Sequence, residues 1–347
     1  MIICSREYKL LICKRENHFA GTDVGELDIL GKKSIDYVKQ IDEECEIVEE
    51  FDLTTLKDTV VLYSDTPLVE KVHIESIIEY MDELGINNAE LPCGYVISSY
   101  DGKLTKIDKY NDSFTRVVDA KSYASVVKAM QDRINDYWMK NGVFMLSPDS
   151  VYVDSGVVIG EGTIIHSNNV LKGNTVIGKG VTLGVNNELT DTEIGNGTKL
   201  VCVVSNQAKV GENTSVGPYA YLRPGASVGS NCKVGDFVEI KNSNVANGSK
   251  VPHLAYVGDA DVGEKVNVGC GVIFANYDGQ KKHRTKVGNK TFLGSNTTLI
   301  APVEVGDRVF IAAGSTVSQS IPDDALVIAR ARETIKEGRS GKYLKKD

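Results

Sequence analysis

Residues 287–317 read VGNKTFLGSNTTLIAPVEVGDRVFIAAGSTV. Val287, Leu293, Leu299, Val305, Ile311 and Val317 recur at every sixth position, and glycine follows the apolar residue in VGNK, LGSN and VGDR. This period fits neither an α-helix nor a half-buried strand. It marks a parallel β-helix in which each hexapeptide supplies one short strand and one turn, three of them closing a triangular coil of about 18 residues. The apolar positions fill the prism, and small residues let the chain round its corners.

The same period runs outward in both directions. Ile159, Ile165, Leu171, Ile177, Leu183 and Leu189 form one run. Val210, Val216, Leu222, Val228, Val234 and Ile240 form a second, and Val262, Val268 and Phe274 a third. Its sharpest break is the insertion NYDGQKKHRTK at 276–286, and loops projecting from a solenoid commonly build binding sites. Smaller slips lie near 194–209 and 245–262, the latter holding KVPHLAYVG at 250–258.

A coil of 18 residues stacks Arg223 under Lys241, about 4.8 Å apart. Two stacked cations repel unless an anion or carboxylate lies with them. Glu239 shares their strand face and partly neutralises them. The pair fits a phosphate site, and it also fits a surface charge ladder. His253 and Tyr256 fall within a few rungs, which sets an acid–base group beside a candidate anion site. Zinc chemistry of the three-histidine kind is not expected, because His166 lies many coils from His253 and His283.

Ahead of the repeat the composition changes. YKLLICK and DTVVLYSD are strand-length apolar runs, and HIESIIEYMDELG at 73–85 spaces Ile74, Ile77, Ile78, Met81 and Leu84 as a helix stopped by Gly85. CGYVISSYDGKLTKIDKY predicts a hairpin turning at Asp101-Gly102. Residues 1–115 therefore form a small α/β domain. Asp65, at the end of a predicted strand, is a candidate metal–nucleotide carboxylate or a plain turn residue. Residues 116–142 predict a connecting helix with a packing stripe of Tyr123, Val126, Val127, Met130, Ile134, Tyr137 and Trp138. The β-helix is expected over 143–330 and a basic tail over 331–347.

Composition bounds the function. The chain has 347 residues, a net charge of −8, 33 glycines and 7% aromatics, which argues against a broad nucleic-acid surface. The N-terminus lacks the apolar core of a signal peptide, and no apolar run is long enough to span a membrane. Seven scattered cysteines without a CxxC motif suit a reducing compartment, so a cytoplasmic location without membrane association is expected.

LRPGA (222–226), VEIK (238–241), HLAYVGDA (253–260) and NYDG (276–279), in that order, closely resemble the acetyltransferase half of the bifunctional bacterial glucosamine-1-phosphate N-acetyltransferase and N-acetylglucosamine-1-phosphate uridylyltransferase family. The resemblance covers about 151–338. It implies a left-handed β-helix, a homotrimer, and acetyl-CoA as cosubstrate with no metal for acetyl transfer. It implies an amino-sugar phosphate acceptor on the route to UDP-N-acetylglucosamine and cell-wall precursors. By resemblance His253 is the general base, Glu239 orients or supports it, and Asn276 lies at the reacting centre. Arg223, Lys241, Tyr256, Asn267 and Lys282 match sugar-phosphate binders. Asn276, Tyr277, Ser295, Ala313 and Arg330 match residues around acetyl-CoA, as does Cys270, which stands where the family usually has alanine.

The first domain resembles the uridylyltransferase half only in part. VVLYSDTPL (60–68), LGKKSIDYVKQ (30–40) and GYVISSYDGKLTKIDKY (94–110) echo it. The family's opening glycine-rich phosphate loop has no counterpart, and Lys121 or Ser122 stands near its magnesium-binding asparagine. The expectation is a truncated nucleotidyltransferase-like domain that has lost uridylyl transfer. Acetylation of another amino sugar, and a non-catalytic regulatory paralogue, are the competing readings.

Overall fold

The structure is a computed structural model and describes residues 7–14, 18–19, 22–110 and 112–343. The chain divides into two compact units, residues 1–158 with 165–175, and residues 159–164 with 176–347.

The first unit is built on a sheet of β1 (Lys9–Cys13), β2 (Glu46–Val48), β3 (Lys57–Tyr63), β4 (Asn88–Leu91), β5 (Gly94–Ser99) and β6 (Thr105–Lys106), in the order β2-β1-β3-β5-β4-β6. β1 is parallel to β2 and β3, and β5 is antiparallel to β3 and β4. The hairpin expected at Asp101-Gly102 is not formed. The tight turn is Pro92-Cys93, between β4 and β5, and β6 crosses over to pair in parallel with β4. Asp101 is held by the Asn88 amide (3.1 Å) and the Lys103 N–H (3.1 Å), which sends the chain past β5 instead of back along it. Gly94 is required at that turn, since a Cβ there would lie 1.9 Å from the Val61 carbonyl oxygen.

Helix α1 (Ser34–Lys39) is short; α2 (Lys71–Leu84) ends on Gly85 in the left-handed conformation, as its sequence indicates. Ile74, Ile77, Ile78 and Met81 are buried against Leu10, Ile12, Val60 and Leu62, whereas Leu84 is exposed. Helix α3 (Ala120–Lys140) starts four residues later than expected, where Asp119 accepts the Ser122 N–H at 2.7 Å. Its stripe packs on Ile29, Tyr37, Leu68 and Val117 through Tyr123, Val126, Val127, Met130 and Ile134. Tyr137 is not part of that core and stands exposed.

The second unit is a left-handed parallel β-helix. Every apolar residue of the hexapeptide runs from Ile159 to Val317 named above is buried, most of them completely. Short strands pair in parallel with those three before and three after, one per face of the prism, except that the last, Leu326–Val327, pairs with Phe310–Ile311. The coil length varies. Leu222 pairs with Ile240, a coil of 18, but Val228 pairs with Val245 and Ile240 with Val257, coils of 17. The lost residue falls between Ile240 and Val245, where a five-residue corner replaces a six-residue one. A second short corner follows between Val257 and Val262. Asn242 and Asp259 take positive φ (45° and 48°) at these corners, a conformation that Asn and Asp tolerate better than most residues.

Candidate active site

The chemistry-bearing residues of the second unit lie at the two ends of one stack of strands: Glu239–Lys241, Tyr256–Gly258 and Ile273–Ala275. Tyr221, Glu239, Tyr256 and Ile273 are successive register partners on that face.

Beyond the C-terminal end of the stack, the short corners bring Asn242, Asp259 and Asn276 into line. Asp259 accepts from the Asn242 amide at 2.6 Å and from the Asn276 amide. Burial acts to raise the Asp259 pKa, but the two amides together with Lys241 and Lys282 hold it below the ordinary carboxylate value. Asn276 also approaches the Tyr256 hydroxyl, at 3.4 Å. The Tyr256 ring folds over Gly258, where a Cβ would lie 2.4 Å from that hydroxyl. Arg223 and Lys241 occupy adjacent rungs, as the spacing indicates, and Arg223 donates to Glu239 at 2.7 Å. The inserted loop returns Lys282 to this cluster, and contact with Lys241 pushes the Lys282 pKa below the ordinary lysine value. Within the loop Tyr277 bridges to Lys282, and Asp278 caps the turn. The Lys281 N–H, His283 and the Gln280 N–H lower the Asp278 pKa to about 2.

The N-terminal end of the stack carries the histidine. Asp236 and His253 are register partners one coil apart, and His253 Nδ1 lies 2.5 Å from Asp236 Oδ1. The carboxylate hydrogen-bonded to His253 is thus Asp236, while Glu239 pairs with Arg223. Above His253 the corner-preceding positions are Cys270, Ser295 and Ala313. The following residues climb the edge through Asn296 N–H to Cys270 O and Gly314 N–H to Ser295 O, both 2.8 Å. Arg330 reaches Gly314 at the top, within 3.6 Å of where its Cβ would be.

The residues singled out in the sequence thus fall into two groups. Arg223, Glu239, Lys241, Tyr256, Asn276, Tyr277 and Lys282 gather around the stack and its loop. His253, Cys270, Ser295, Ala313 and Arg330 form a column at the preceding corner. Tyr256 follows His253 by three positions, about 10 Å of extended chain at most. Asn267 lies on the His253 ladder, three positions before Cys270, and pairs with Lys250 and Phe292. Asp236, Asn242 and Asp259 were missed, and the signal for them was the five-residue corner, which a fixed coil length hides.

In the first unit, Asp65 is fully buried and held by Arg116 (Nε–Oδ1 3.0 Å, Nη2–Oδ2 2.5 Å), whose guanidinium also lies over the Tyr63 ring. The carboxylate offered by the sequence as a metal–nucleotide ligand is therefore closed off by a cation. Ser122 caps α3 with Asp119. Among the described residues no cluster of three or more His, Cys, Asp or Glu could hold a metal ion, and no helix is long and apolar enough to cross a membrane.

Fold and site together define a hexapeptide-repeat β-helix with an ordered acid–base and cationic edge. The family model described as bacterial transferase hexapeptide (six repeats) matches residues 207–242 and 284–319. More particularly, the chain is similar to proteins named bifunctional protein GlmU. It is 43% identical over 270 residues to that of Clostridium acetobutylicum, covering 76% of this chain and 59% of the relative. It is 49% identical over 218 residues to that of Clostridioides difficile, covering 63% of this chain and 48% of the relative. The chain thus spans about half to three-fifths of the curated relatives it matches. Among solved structures, the UDP-N-acetylglucosamine acyltransferase LpxA of Bacteroides fragilis matches 51% of this chain and 69% of its own, at 20% identity and a TM-score of 0.31.

Proposed function

We propose that the chain is an acyltransferase that moves acetyl from acetyl-CoA to the amine of glucosamine 1-phosphate. The product, N-acetylglucosamine 1-phosphate, feeds UDP-N-acetylglucosamine and cell-wall synthesis. The observation that carries this reading is the crowding of Lys282 against Lys241 next to Arg223, with Tyr256 and Asn276 alongside. Two ammonium groups pressed together cost free energy, and a dianionic phosphate between them relieves it.

With the phosphate there, the sugar amine is directed toward His253. Such an amine has a pKa of roughly 8, so part of it is protonated and unreactive at neutral pH. His253 takes the proton as the C–N bond forms and returns it to the departing thiolate, so CoA leaves as its thiol and no covalent enzyme intermediate is needed. Asn276 serves the reacting centre, and Asp259 holds its amide. The acetyl-CoA chain lies along Cys270, Ser295 and Ala313, with Arg330 and Tyr277 at its polar portions. Asn267, on the His253 ladder, belongs to the sugar site, and the chain assembles as a homotrimer. The protein acts in the cytoplasm, and the first unit has lost uridylyl transfer.

Release of CoA thiol in the presence of glucosamine 1-phosphate, absent with unphosphorylated glucosamine at the same concentration, is the expected outcome. Equal rates with both sugars would remove the phosphate site from the account. Transfer only to a nucleotide-linked amino sugar would shift the acceptor.

A further inference from the structure

The geometry points to Asp236 as a positioning residue that fixes the tautomer of His253 and so decides which ring nitrogen acts as base. This rests on the proposed acetyl transfer for its kinetic consequence, but not for its structural one.

Three observations converge. Asp236 and His253 are register partners on adjacent coils, so their side chains leave the same face of the same ladder. The Asp236 Oδ1 to His253 Nδ1 separation is 2.5 Å. The hydrogen bond to His253 is the largest of the interactions that hold the Asp236 carboxyl below its ordinary pKa, so the carboxylate is the accepting form. A carboxylate has only lone pairs to offer. The hydrogen between the two residues therefore sits on Nδ1, and Nε2 keeps its lone pair for the sugar ammonium or amine. When Nε2 takes the proton, the imidazolium is stabilised by the charge already at Nδ1, as a carboxylate does for the histidine of a hydrolase triad. The other carboxylate near this corner cannot substitute, because Glu239 is bound to Arg223.

The pairing also explains the backbone beneath it. Gly235 precedes Asp236 in the strand Lys233–Asp236, and a Cβ there would meet the Pro252 carbonyl oxygen at 1.8 Å. The two rungs approach closely just where the carboxylate must reach the ring.

The test is long-range ¹H–¹⁵N NMR of the histidine-labelled full chain, with His253 assigned by a His253→Gln variant, together with steady-state kinetics. In the parent protein the neutral His253 ring should be protonated at Nδ1. Asp236→Ala should shift it mainly to the Nε2–H form. The same variant should lower kcat about 10- to 100-fold, a part of what a general base supplies, with KM for both substrates changed less than about twofold. Asp236→Asn, whose carbonyl can still accept from Nδ1, should restore the tautomer and only part of kcat. An unchanged tautomer in Asp236→Ala would overturn the inference, and so would an altered tautomer with unchanged kcat in an active enzyme. If the parent protein transfers no acetyl group, the functional reading fails, and the tautomer comparison still decides the dyad.

Discussion

At the scale of single residues, the candidate site separates the proposed base, His253, from a charge cluster. His253 is half-exposed and contributes no core packing. His253→Ala should therefore lower kcat by about 10²- to 10⁴-fold while leaving the urea midpoint unchanged. A large stability loss would mean that the ring is structural. Lys282 makes a pH prediction of definite sign. Its pKa is lowered by Lys241, so it loses its proton below the usual lysine range. Anion affinity that depends on protonated Lys282 should fall as pH rises through that lowered value. Lys241→Met should weaken binding overall and move the remaining alkaline loss to higher pH, measured by titration calorimetry with glucosamine 1-phosphate. Movement in the opposite direction would contradict the pairing. Asp278 behaves conversely: its pKa of about 2 lies below the ordinary 3.8, so the order it gives the loop is present above 3.8 and lost as pH falls through about 2.

At the scale of the element, the coil decides what can touch. The hexapeptide period is legible because one buried apolar residue per strand is all the prism needs. Its stacked partners Arg223 and Lys241 follow directly from the 18-residue coil. The same rule fails one coil later. Counting 18 back from His253 lands on Gly235, but the corner after Ile240 has five residues, and Asp236 becomes the partner. Asn242 and Asp259 were equally invisible, because only positive φ at short corners aligns them with Asn276. The misplaced hairpin has a similar cause. Asp-Gly is a good turn, yet Asn88 captures Asp101 and the sheet takes β6 on its far edge. Two substitutions test the element. Ile240→Ala, fully buried in the prism, should cost about 2–5 kcal/mol in urea unfolding. Gly235→Ala must push the two rungs apart at Pro252, so it should reduce kcat as well as stability. Normal activity in Gly235→Ala would show that the Asp236–His253 approach is not needed.

At the scale of the whole molecule, the chain carries the candidate acyl-transfer residues on its β-helix and, in the first unit, buries the candidate nucleotide-site carboxylate Asp65 against Arg116. The strand-end position of Asp65 was legible in YSDTPL; the cation that closes it was not, since Arg116 lies 51 residues from Asp65. Pyrophosphate release from UTP and N-acetylglucosamine 1-phosphate with magnesium should be undetectable, and steady release would refute a closed Asp65. The proposed homotrimer predicts a light-scattering mass three times that of the 37.7 kDa chain. The central claim, acetyl transfer at the His253 edge, is tested most directly by mass spectrometry of the products from acetyl-CoA and glucosamine 1-phosphate with the parent protein and His253→Ala. The account predicts N-acetylglucosamine 1-phosphate from the parent and almost none from the variant. Equal product from both, or none from the parent under conditions where acetyl-CoA binds, would contradict it.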